Sequence, residues 1–388
     1  MGFLSPSTSI CYFQVSGTQG DDAKDAQIRQ QLAEEGFRSI ESSAEELATG
    51  WVEFGDEESS AFATPQSCWR EHYLCFSLRQ DRRRVPAALL KRHFQRLCDQ
   101  FLANQPTYNR VPKTQREQLR DQARDVLLAR TLPSPSVAQV VWDTKNHLVR
   151  FCSLGKSTLD SFQGLFHQTF PGLRLQLLPP LGRAAQVLPE KHQAALQRTN
   201  QAQTDSTLEQ IEANRWLGTE FLLWLCYRTL NSDSRYSVSV SGPLLEGQPF
   251  TAFLDNRLVL VGGGQEGLQK IVVAGPQDQF LEVKTALGQG KQIEEATLHL
   301  QQDEDHAWKL TLKGERFSFG NFLTPMIRPE TGPDADLQAE AEAAFLTKIA
   351  AVEEGEQMFN SLLKAFLELR LGDNWATQLE TIDTWVRH

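Results

Sequence analysis

Basic side chains are concentrated between residues 79 and 130, where they could bind a polyanion. This stretch holds thirteen Lys and Arg against five Asp and Glu, a local charge of +8. The whole chain carries −10, so the remainder carries −18. A cationic segment in an acidic protein indicates an anionic partner bound on one face. The candidate contact residues are Arg82, Arg83, Arg84, Lys91, Arg92, Arg110, Lys113, Arg116, Arg120, Arg124 and Arg130.

The same charges have a structural explanation. Glu117 precedes Arg120 by three residues, and Asp121 precedes Arg124 by three residues. Pairs at this spacing form salt bridges along the exposed face of a helix. The charge pattern alone therefore permits DNA binding without requiring it.

Two helices must position the basic side chains. Val85-Pro86 and Val111-Pro112 each place a proline where a helix begins, because the first turn needs no N–H there, and Pro106 ends the first helix. Tyr108, in the loop between the helices, could stack on a base. Packing of its ring on a helix is the alternative.

Apolar residues recur at helical spacing in both helices and predict a buried face opposite the basic side chains. Those of the first helix are Leu90, Phe94, Leu97 and Phe101, and those of the second are Leu119, Ala123, Val126 and Leu127.

Three motifs approach known chemistry without completing it. Gly262–Gly267 matches GxGxxG, but the following residues predict a strand instead of a helix, so a glycine-rich hairpin is favoured over a dinucleotide site. Gly155-Lys156-Ser157 resembles the end of a phosphate-binding loop, but Arg150 stands where its first glycine belongs. Asp278 and Glu282 could hold a divalent ion beside Lys284, but their spacing of four residues favours an ordinary helix face.

Other catalytic patterns are missing from the sequence. The eight histidines form no HExxH or zinc-type cluster, and no serine lies in GxSxG. We therefore predict a non-enzymatic protein without a cofactor or metal.

Composition predicts a cytoplasmic chain. The six cysteines never form CxxC, no apolar run approaches about 20 residues, and the N-terminus lacks an export pattern. A DNA-binding role would associate the protein with the nucleoid.

Periodicity predicts an α+β fold with mixed sheets and long helices. We expect an N-terminal α+β domain (1–182), a helix and β-hairpin domain (183–330) and an acidic helical extension (331–388), packed on the body or used at an interface. Predicted strands cover 9–16, 69–79, 137–142, 148–152, 173–178, 235–241, 250–254, 257–261, 270–274, 293–300 and 307–313. Beyond the cationic pair, predicted helices cover 22–35, 43–48, 157–169, 206–230 and 278–287, and 183–205 reads as a linker or surface helix.

The order of several segments resembles the bacterial recombination-associated RdgC family. The segments are VPAALLKRHF, KTQREQLRDQARDVLLARTLPSPS and VVWDTKNHLVRF, together with Gly50-Trp51-Val52. The helix ending EFLLWLCYR is similar to a longer branch of the family. The resemblance covers residues 8–325 and is most specific from 85 to 180.

This resemblance implies a protein that binds duplex DNA with little sequence preference, with single-stranded DNA as the alternative. It also implies a ring-shaped homodimer with a cationic hole, which limits the access of a RecA-type recombinase to DNA. The residues expected to line the hole are Arg110, Lys113, Arg116, Arg120, Arg124 and Arg130.

One departure from the family pattern affects ring closure. Compact members follow the Leu-Pro turn with Arg-Ala-Phe, whereas Leu132-Pro133 is followed here by Ser134-Pro135-Ser136. The acidic tail could replace the missing interface or shield the basic strip. A protein–protein regulator acting through that tail and a metal-dependent nuclease remain the alternative functions.

Overall fold

The chain folds into one extended antiparallel sheet with helices on its faces. The computed structural model describes residues 2–17, 25–43, 45–204, 206–264, 267–275, 279–326 and 337–387. The first elements are β1 (Ser7–Ser16), α1 (Asp25–Glu34), β2 (Leu47–Glu53), β3 (Trp69–Arg70), β4 (Tyr73–Arg82), α2 (Ala87–Asn104), α3 (Lys113–Leu128), β5 (Ser134–Asp143), β6 (Leu148–Phe151), α4 (Lys156–Thr169) and β7 (Arg174–Leu177).

The second part of the chain adds more helices and the other end of the sheet. Its elements are α5 (Pro180–Val187), α6 (Glu190–Thr199), α7 (Thr207–Ala213), α8 (Arg215–Asn231), β8 (Arg235–Ser237), β9 (Pro249–Gly264), β10 (Gly267–Ala274), α9 (Leu281–Gly288), β11 (Gln292–Gln301), β12 (Ala307–Lys313), β13 (Ser318–Leu323), α10 (Leu337–Arg370) and α11 (Trp375–Arg387). The α+β class is confirmed. None of the helices among the described residues is long and apolar enough to cross a membrane.

The strands follow the order β10-β9-β11-β12-β13-β1-β6-β5-β4-β2. β1 joins the two parts of the sheet, because Ser7–Ile10 pairs with β13 while Cys11–Gln14 pairs with β6. The expectation of mixed sheets was wrong, since the ladders between the described strands are antiparallel.

Two apolar clusters hold the helices against the sheet. In the first, α4 stacks Phe162 on Phe151 of β6 at 4.1 Å between ring centroids. Buried Trp51 lies in the same cluster, and its indole N–H donates to Thr169 Oγ1 over 2.7 Å. In the second, Phe221 of α8 contacts Phe366 of α10 at 5.5 Å.

The acidic tail packs on the body of the protein. α10 buries Phe345, Val352 and Phe366 in the second cluster. Gly355 allows this approach, because a Cβ there would lie 2.8 Å from the Trp308 ring. The Trp308 indole N–H donates to the carbonyl of Ala351 over 2.6 Å. The tail's helix is therefore part of the core.

A buried ion pair links α10 to the central strand β6. The guanidinium of Arg150, 3% exposed, donates through Nε and Nη2 to the two carboxylate oxygens of Glu356 at 2.9 and 2.7 Å, and also to Glu353. Burial alone would lower the pKa of Arg150. The attraction and hydrogen bonds of the Glu356 carboxylate, with a contribution from Glu353, outweigh burial, so the net shift of the pKa is upward. Burial also raises the pKa of Glu353, an effect that Arg150 partly offsets.

Tertiary contacts overrule several sequence-based assignments. The helix predicted at 43–48 is wrong, because residues from Leu47 onward pair with β4. Gly50 lies within this strand, where a Cβ would meet the backbone of Phe37 at 2.4 Å. The helix predicted from 206 to 230 is interrupted at Asn214, whose buried amide donates to Asn200 Oδ1 and the Gln210 carbonyl.

Two further strand assignments needed correction. The strands predicted at 250–254 and 257–261 form one strand, β9, which includes Asn256 at a φ of 66°. β13 was not predicted. The hairpin of 137–142 and 148–152, the helix at 157–169 and the hairpin of 293–300 and 307–313 are confirmed within a few residues.

Substitution of Arg150 by Met should lower the free energy of unfolding by about 3–5 kcal/mol, because Glu356 would remain buried without its partner. The paired change Arg150→Met with Glu356→Leu should recover most of this loss. Denaturant titrations of the two variants and the parent would check both. Equal destabilisation of the single and double variants would contradict the assigned role of the pair.

Candidate nucleic-acid interface

A pair of helices, α2 and α3, connects β4 to β5 and projects from the sheet. Here residues 84–130, which comprise α2, the loop 105–112 and α3, are called the arm. The arm enters after Arg82 and returns at Ser134, two residues that face each other in the β4–β5 ladder. α2 and α3 pack mainly on each other. The arm therefore presents most of its surface to solvent.

Local sequence sets the bounds of both helices. Pro86 and Pro112 lie at the N-cap positions with extended backbone, and α2 ends where Gln105 leaves helical geometry. Proline is compatible with these positions because they need no donor. The two predicted helices are confirmed.

Two buried arginines lie near the base of the arm, and one of them, Arg83, bonds to α3. Arg83, 6% exposed, donates to the carbonyls of Ile40, Glu41 and Leu128 at 2.6, 3.0 and 3.3 Å. Arg79 binds Asp81 through both a 2.9 and a 3.1 Å hydrogen bond. Arg83 was predicted to contact DNA, but its guanidinium is buried and donates to three backbone carbonyls, so we leave it out of the proposed interface.

The apolar face of the arm is only half-buried. Leu90, Phe94, Leu97 and Phe101 all keep partial exposure, although the sequence predicts a buried stripe. Ala87, Leu90 and Phe94 form the floor of a groove of about 450 Å³. The Arg116 guanidinium lies over the Phe94 ring at 5.7 Å.

The basic side chains of the arm are exposed. Between residues 84 and 130 there are ten Lys and Arg against four Asp and Glu, a net charge of +6. The exposed cations are Arg84, Lys91, Arg92, Arg96, Arg110, Lys113, Arg116, Arg120, Arg124 and Arg130.

Most of these cations have no acidic partner within the described part of the chain. Arg124 pairs with Glu46 over 2.6 Å. The salt bridges expected for Glu117 with Arg120 and for Asp121 with Arg124 do not form among the described residues. The interpretation of α3 as a salt-bridged helix face is therefore not supported, and the cations remain available for an anion.

A polar pocket lies where the arm joins the sheet. Its volume is about 340 Å³, and we call it the base pocket. Its lining residues are Gln80, Arg82, Arg84, Ser134, Pro135, Ser136, Ser157 and Thr158. Arg82 is half-exposed, and Ser157 and Thr158 belong to the first turn of α4. Two arginines and the N-terminal end of a helix thus meet at one position, which favours an anion.

Tyr108 is 47% exposed, and its ring lies 6.0 Å from that of Phe101. The ring therefore packs partly on α2. Sequence reasoning omitted Arg96 from the candidate set, although its position four residues after Arg92 marks the same exposed face. Ser157 was considered only as part of a phosphate-binding loop, and Thr158 was not considered.

The other motifs form ordinary structure. Gly262, Gly263 and Gly264 pair with Gln269, Leu268 and Gly267, so the glycine-rich hairpin is confirmed. Glu282 lies exposed on α9, and Asp278 lies outside the described residues. Within the described ranges, no three His, Cys, Asp or Glu side chains converge as metal ligands.

The chain matches a known family model. The family model described as "RdgC: Putative exonuclease, RdgC" matches residues 11–205, which include the whole arm and the base pocket. No curated protein matches the chain.

Replacement of Arg83 by Met should loosen the arm at its base, because three carbonyls would each lose the hydrogen bond that the guanidinium donates. Loss of one such bond costs about 1.5–3 kcal/mol when the donor is charged. Hydrogen exchange at the C-terminal end of α3 and at residues 40–41 should accelerate at least about tenfold. Arg92→Met, on the exposed face of α2, is the control and should leave these rates unchanged.

Proposed function

Since this chain belongs to the RdgC family, we propose that it is a non-enzymatic protein that binds duplex DNA through the arm without reading the base sequence. The single observation that supports this most strongly is the row of exposed cations on α2 and α3. Lys113, Arg116 and Arg120 have no acidic partner within 4.0 Å among the described residues.

Phosphate contacts explain how these cations would bind. Each Lys or Arg that neutralises a phosphate releases counterions, which gives affinity without sequence information. The rest of the chain carries −16, so repulsion would keep DNA away from other surfaces and steer it to the arm. This contrast between a positive arm and a negative remainder supports a single DNA-binding face on the arm.

The base pocket would extend the contact to the sheet. Arg82 and Arg84 lie there beside Ser157 and Thr158, at the N-terminal end of α4. A backbone phosphate would find both charge and hydroxyl donors at this position. Seven of the other exposed arm cations, namely Lys91, Arg92, Arg110, Lys113, Arg116, Arg120 and Arg130, complete the proposed interface, and Tyr108 is its aromatic candidate.

We also propose a homodimer that limits the access of a RecA-type recombinase to DNA, as the family resemblance implies. Ser134-Pro135-Ser136 opens β5 as an exposed segment that has no aromatic side chain. Contacts that close a ring-shaped dimer near residues 134–136 would therefore have to come from other residues. A regulator acting through the acidic tail has less support, because α10 contributes its apolar face to the core.

A labelled duplex of ~30 base pairs should bind the protein, with an affinity that falls as salt rises. The triple change Lys113→Glu, Arg116→Glu and Arg120→Glu should weaken binding at least about 100-fold and reduce the log–log salt slope by about 3, since each phosphate contributes roughly 0.9. Fluorescence anisotropy at several salt concentrations would measure both. Arg124 is left unchanged because it pairs with Glu46.

The matched control carries the same charge change outside the arm. Lys191, Arg198 and Arg174 are exposed on α6 and β7, and their replacement by Glu should leave affinity within about threefold. Equal losses in both triple variants would mean that net charge alone governs binding. Retained binding in the arm variant would exclude the arm as the interface.

The family description names an exonuclease, so strand degradation needs a direct test. With Mg²⁺ present, an end-labelled duplex held with the protein should keep its full length on a denaturing gel. Shortening that Asp278→Ala or Glu282→Ala abolishes would instead establish the metal-dependent nuclease.

A further inference from the structure

We propose that a second cationic pocket, beside the first turn of α4, binds the phosphate monoester at the end of a DNA strand. The choice of DNA as the molecule that carries this phosphate rests on the proposed function. The pocket has a volume of about 240 Å³, and we call it the end pocket. Its lining residues are Cys11, Leu154, Lys156, Leu159, Lys313, Glu315, Arg316 and Ser318.

Three cations converge on the end pocket from two distant parts of the chain. Lys156 is the first residue of α4, whereas Lys313 ends β12 and Arg316 lies in the turn to β13. The match to the family model ends at residue 205, so two of the three cations lie outside it. The fold therefore brings two further cations to Gly155-Lys156-Ser157, the segment that resembles the end of a phosphate-binding loop.

The cations of the end pocket are weakly compensated. Glu315 is the one acid among the residues that line the pocket, and its Oε1 lies 3.9 Å from Nε of Arg316, beyond hydrogen-bond distance. Lys156 and Lys313 have no acidic partner within 4.0 Å in the part of the chain that the structure describes. Two lysines and one arginine against one glutamate leave a net charge of +2. This charge would attract an anion.

The first turn of α4 adds hydrogen-bond donors to this charge. Gly155 is the N-cap residue of this 14-residue helix, and no side chain caps the turn. The first N–H groups of a helix have no partner within the helix, and the helix dipole favours an anion at this end. Lys156 and Leu159 line the end pocket, while Ser157 and Thr158 line the base pocket. The start of α4 thus lies between two cationic pockets.

A buried hydroxyl without a partner indicates a ligand independently of the charge. Ser318 is 4% exposed and lines the end pocket. Its hydroxyl forms no hydrogen bond with another residue in the described part of the chain. Buried polar side chains nearly always have a hydrogen-bond partner, so this hydroxyl is available to a bound group. It would donate to a phosphate oxygen.

The turn that carries Arg316 is fixed by the hydrophobic core. Phe317 is buried, and its ring lies 5.7 Å from that of Phe221 in α8 and 5.6 Å from that of Phe359 in α10. The N–H of Arg316 donates to the carbonyl of Lys313 over 3.3 Å and closes the turn. The backbone that carries both cations is therefore placed before a ligand arrives, which lowers the entropy cost of binding.

The charge and shape of the end pocket favour a terminal phosphate over an internal one. Each phosphate within a strand carries one negative charge, whereas a phosphate monoester carries about −1.5 to −2 at neutral pH. Cys11 and Leu159 are buried and close the inner side of the pocket. Burial raises the pKa of the Cys11 thiol to about 12, so the thiol is uncharged at neutral pH and does not repel an anion. A strand could therefore end in this pocket more readily than pass through it.

The neighbouring base pocket favours DNA as the molecule that carries the phosphate. Arg82 and Arg84 line the base pocket at the start of the arm, and Ser157 and Thr158 connect it to the first turn of α4. A strand whose backbone contacts the arm and the base pocket could place its terminal phosphate in the end pocket. A free nucleotide and a phosphorylated protein side chain carry the same group without needing the arm.

Fluorescence anisotropy of a short, internally labelled duplex would compare ends that carry a 5′-phosphate, a 3′-phosphate or only hydroxyls. A phosphorylated end should bind at least about tenfold more tightly than a hydroxyl end, as charge-assisted hydrogen bonds would give. Lys313→Met with Arg316→Met should abolish this preference and leave the affinity for the hydroxyl duplex unchanged. Equal affinities of the parent for all three duplexes overturn the proposal.

The matched control removes two charges from another exposed surface. Lys191→Met with Arg198→Met, on α6, should keep the preference for a phosphorylated end. If this control loses the preference as well, a general effect of charge explains it and the proposal is overturned. Equal weakening of all three duplexes by Lys313→Met with Arg316→Met would identify a contact with an internal phosphate and would also overturn the terminal site.

The arm variant separates this inference from the proposed function. Lys113→Glu, Arg116→Glu and Arg120→Glu together should weaken the binding of every duplex while the preference for a phosphorylated end persists. Unchanged affinities in this variant would exclude the arm as the interface, whatever the end preference. A parent preference that only the end-pocket variant abolishes supports the end pocket.

A single exposed substitution covers the case in which the turn variant fails to fold. Lys156→Met, at the start of α4, should also reduce the preference for a phosphorylated end. Deoxythymidine 5′-monophosphate, observed by phosphorus NMR, is a probe that does not need the arm, and its signal should shift with the parent but not with Lys156→Met. Absence of this shift overturns the phosphate site. Nucleotide binding without any preference among the duplexes would assign the pocket to free nucleotides and overturn the DNA end.

Discussion

The structure depends on one strand that belongs to both parts of the sheet. The first half of β1 pairs with β13, and the second half pairs with β6. A register shift between Thr8 and Ile10 marks the change of partner. Because backbone groups in a sheet interior must all be satisfied, displacing β1 would expose ladders on both sides. β1, close to the N-terminus, therefore connects the two parts of the sheet.

α10 reinforces the same junction from one face. Its apolar side packs on the strands of the second part, while Glu356 reaches the buried Arg150 of β6 in the first. The carboxylate and guanidinium compensate each other's loss of hydration. An acidic segment that looks like an appendage in the sequence is thus needed to complete the interior. The charge that remains outside strengthens the contrast with the arm.

The arginines of this region have two structural roles, which differ in burial. Arg79 and Arg83 use their guanidinium groups on buried carboxylate and carbonyl oxygens at the base of the arm. Arg116 and Arg120, farther along, face solvent. The buried arginines therefore stabilise the fold, whereas the exposed arginines are candidates for contact with a ligand. Both kinds are needed, since phosphate binding by a loose arm would lose entropy on ordering.

The sequence by itself determined the features that depend on neighbouring residues. Pro86 and Pro112 start the arm helices, alternation defines the β5–β6 hairpin, and the excess of arginine over acids gives the arm its charge. Tertiary structure decided the rest. Leu47 joins a strand because β4 supplies its partner, and Arg83 is buried because Ile40 and Leu128 come together around it. These outcomes rest on contacts between distant residues, whose energies outweigh local preferences.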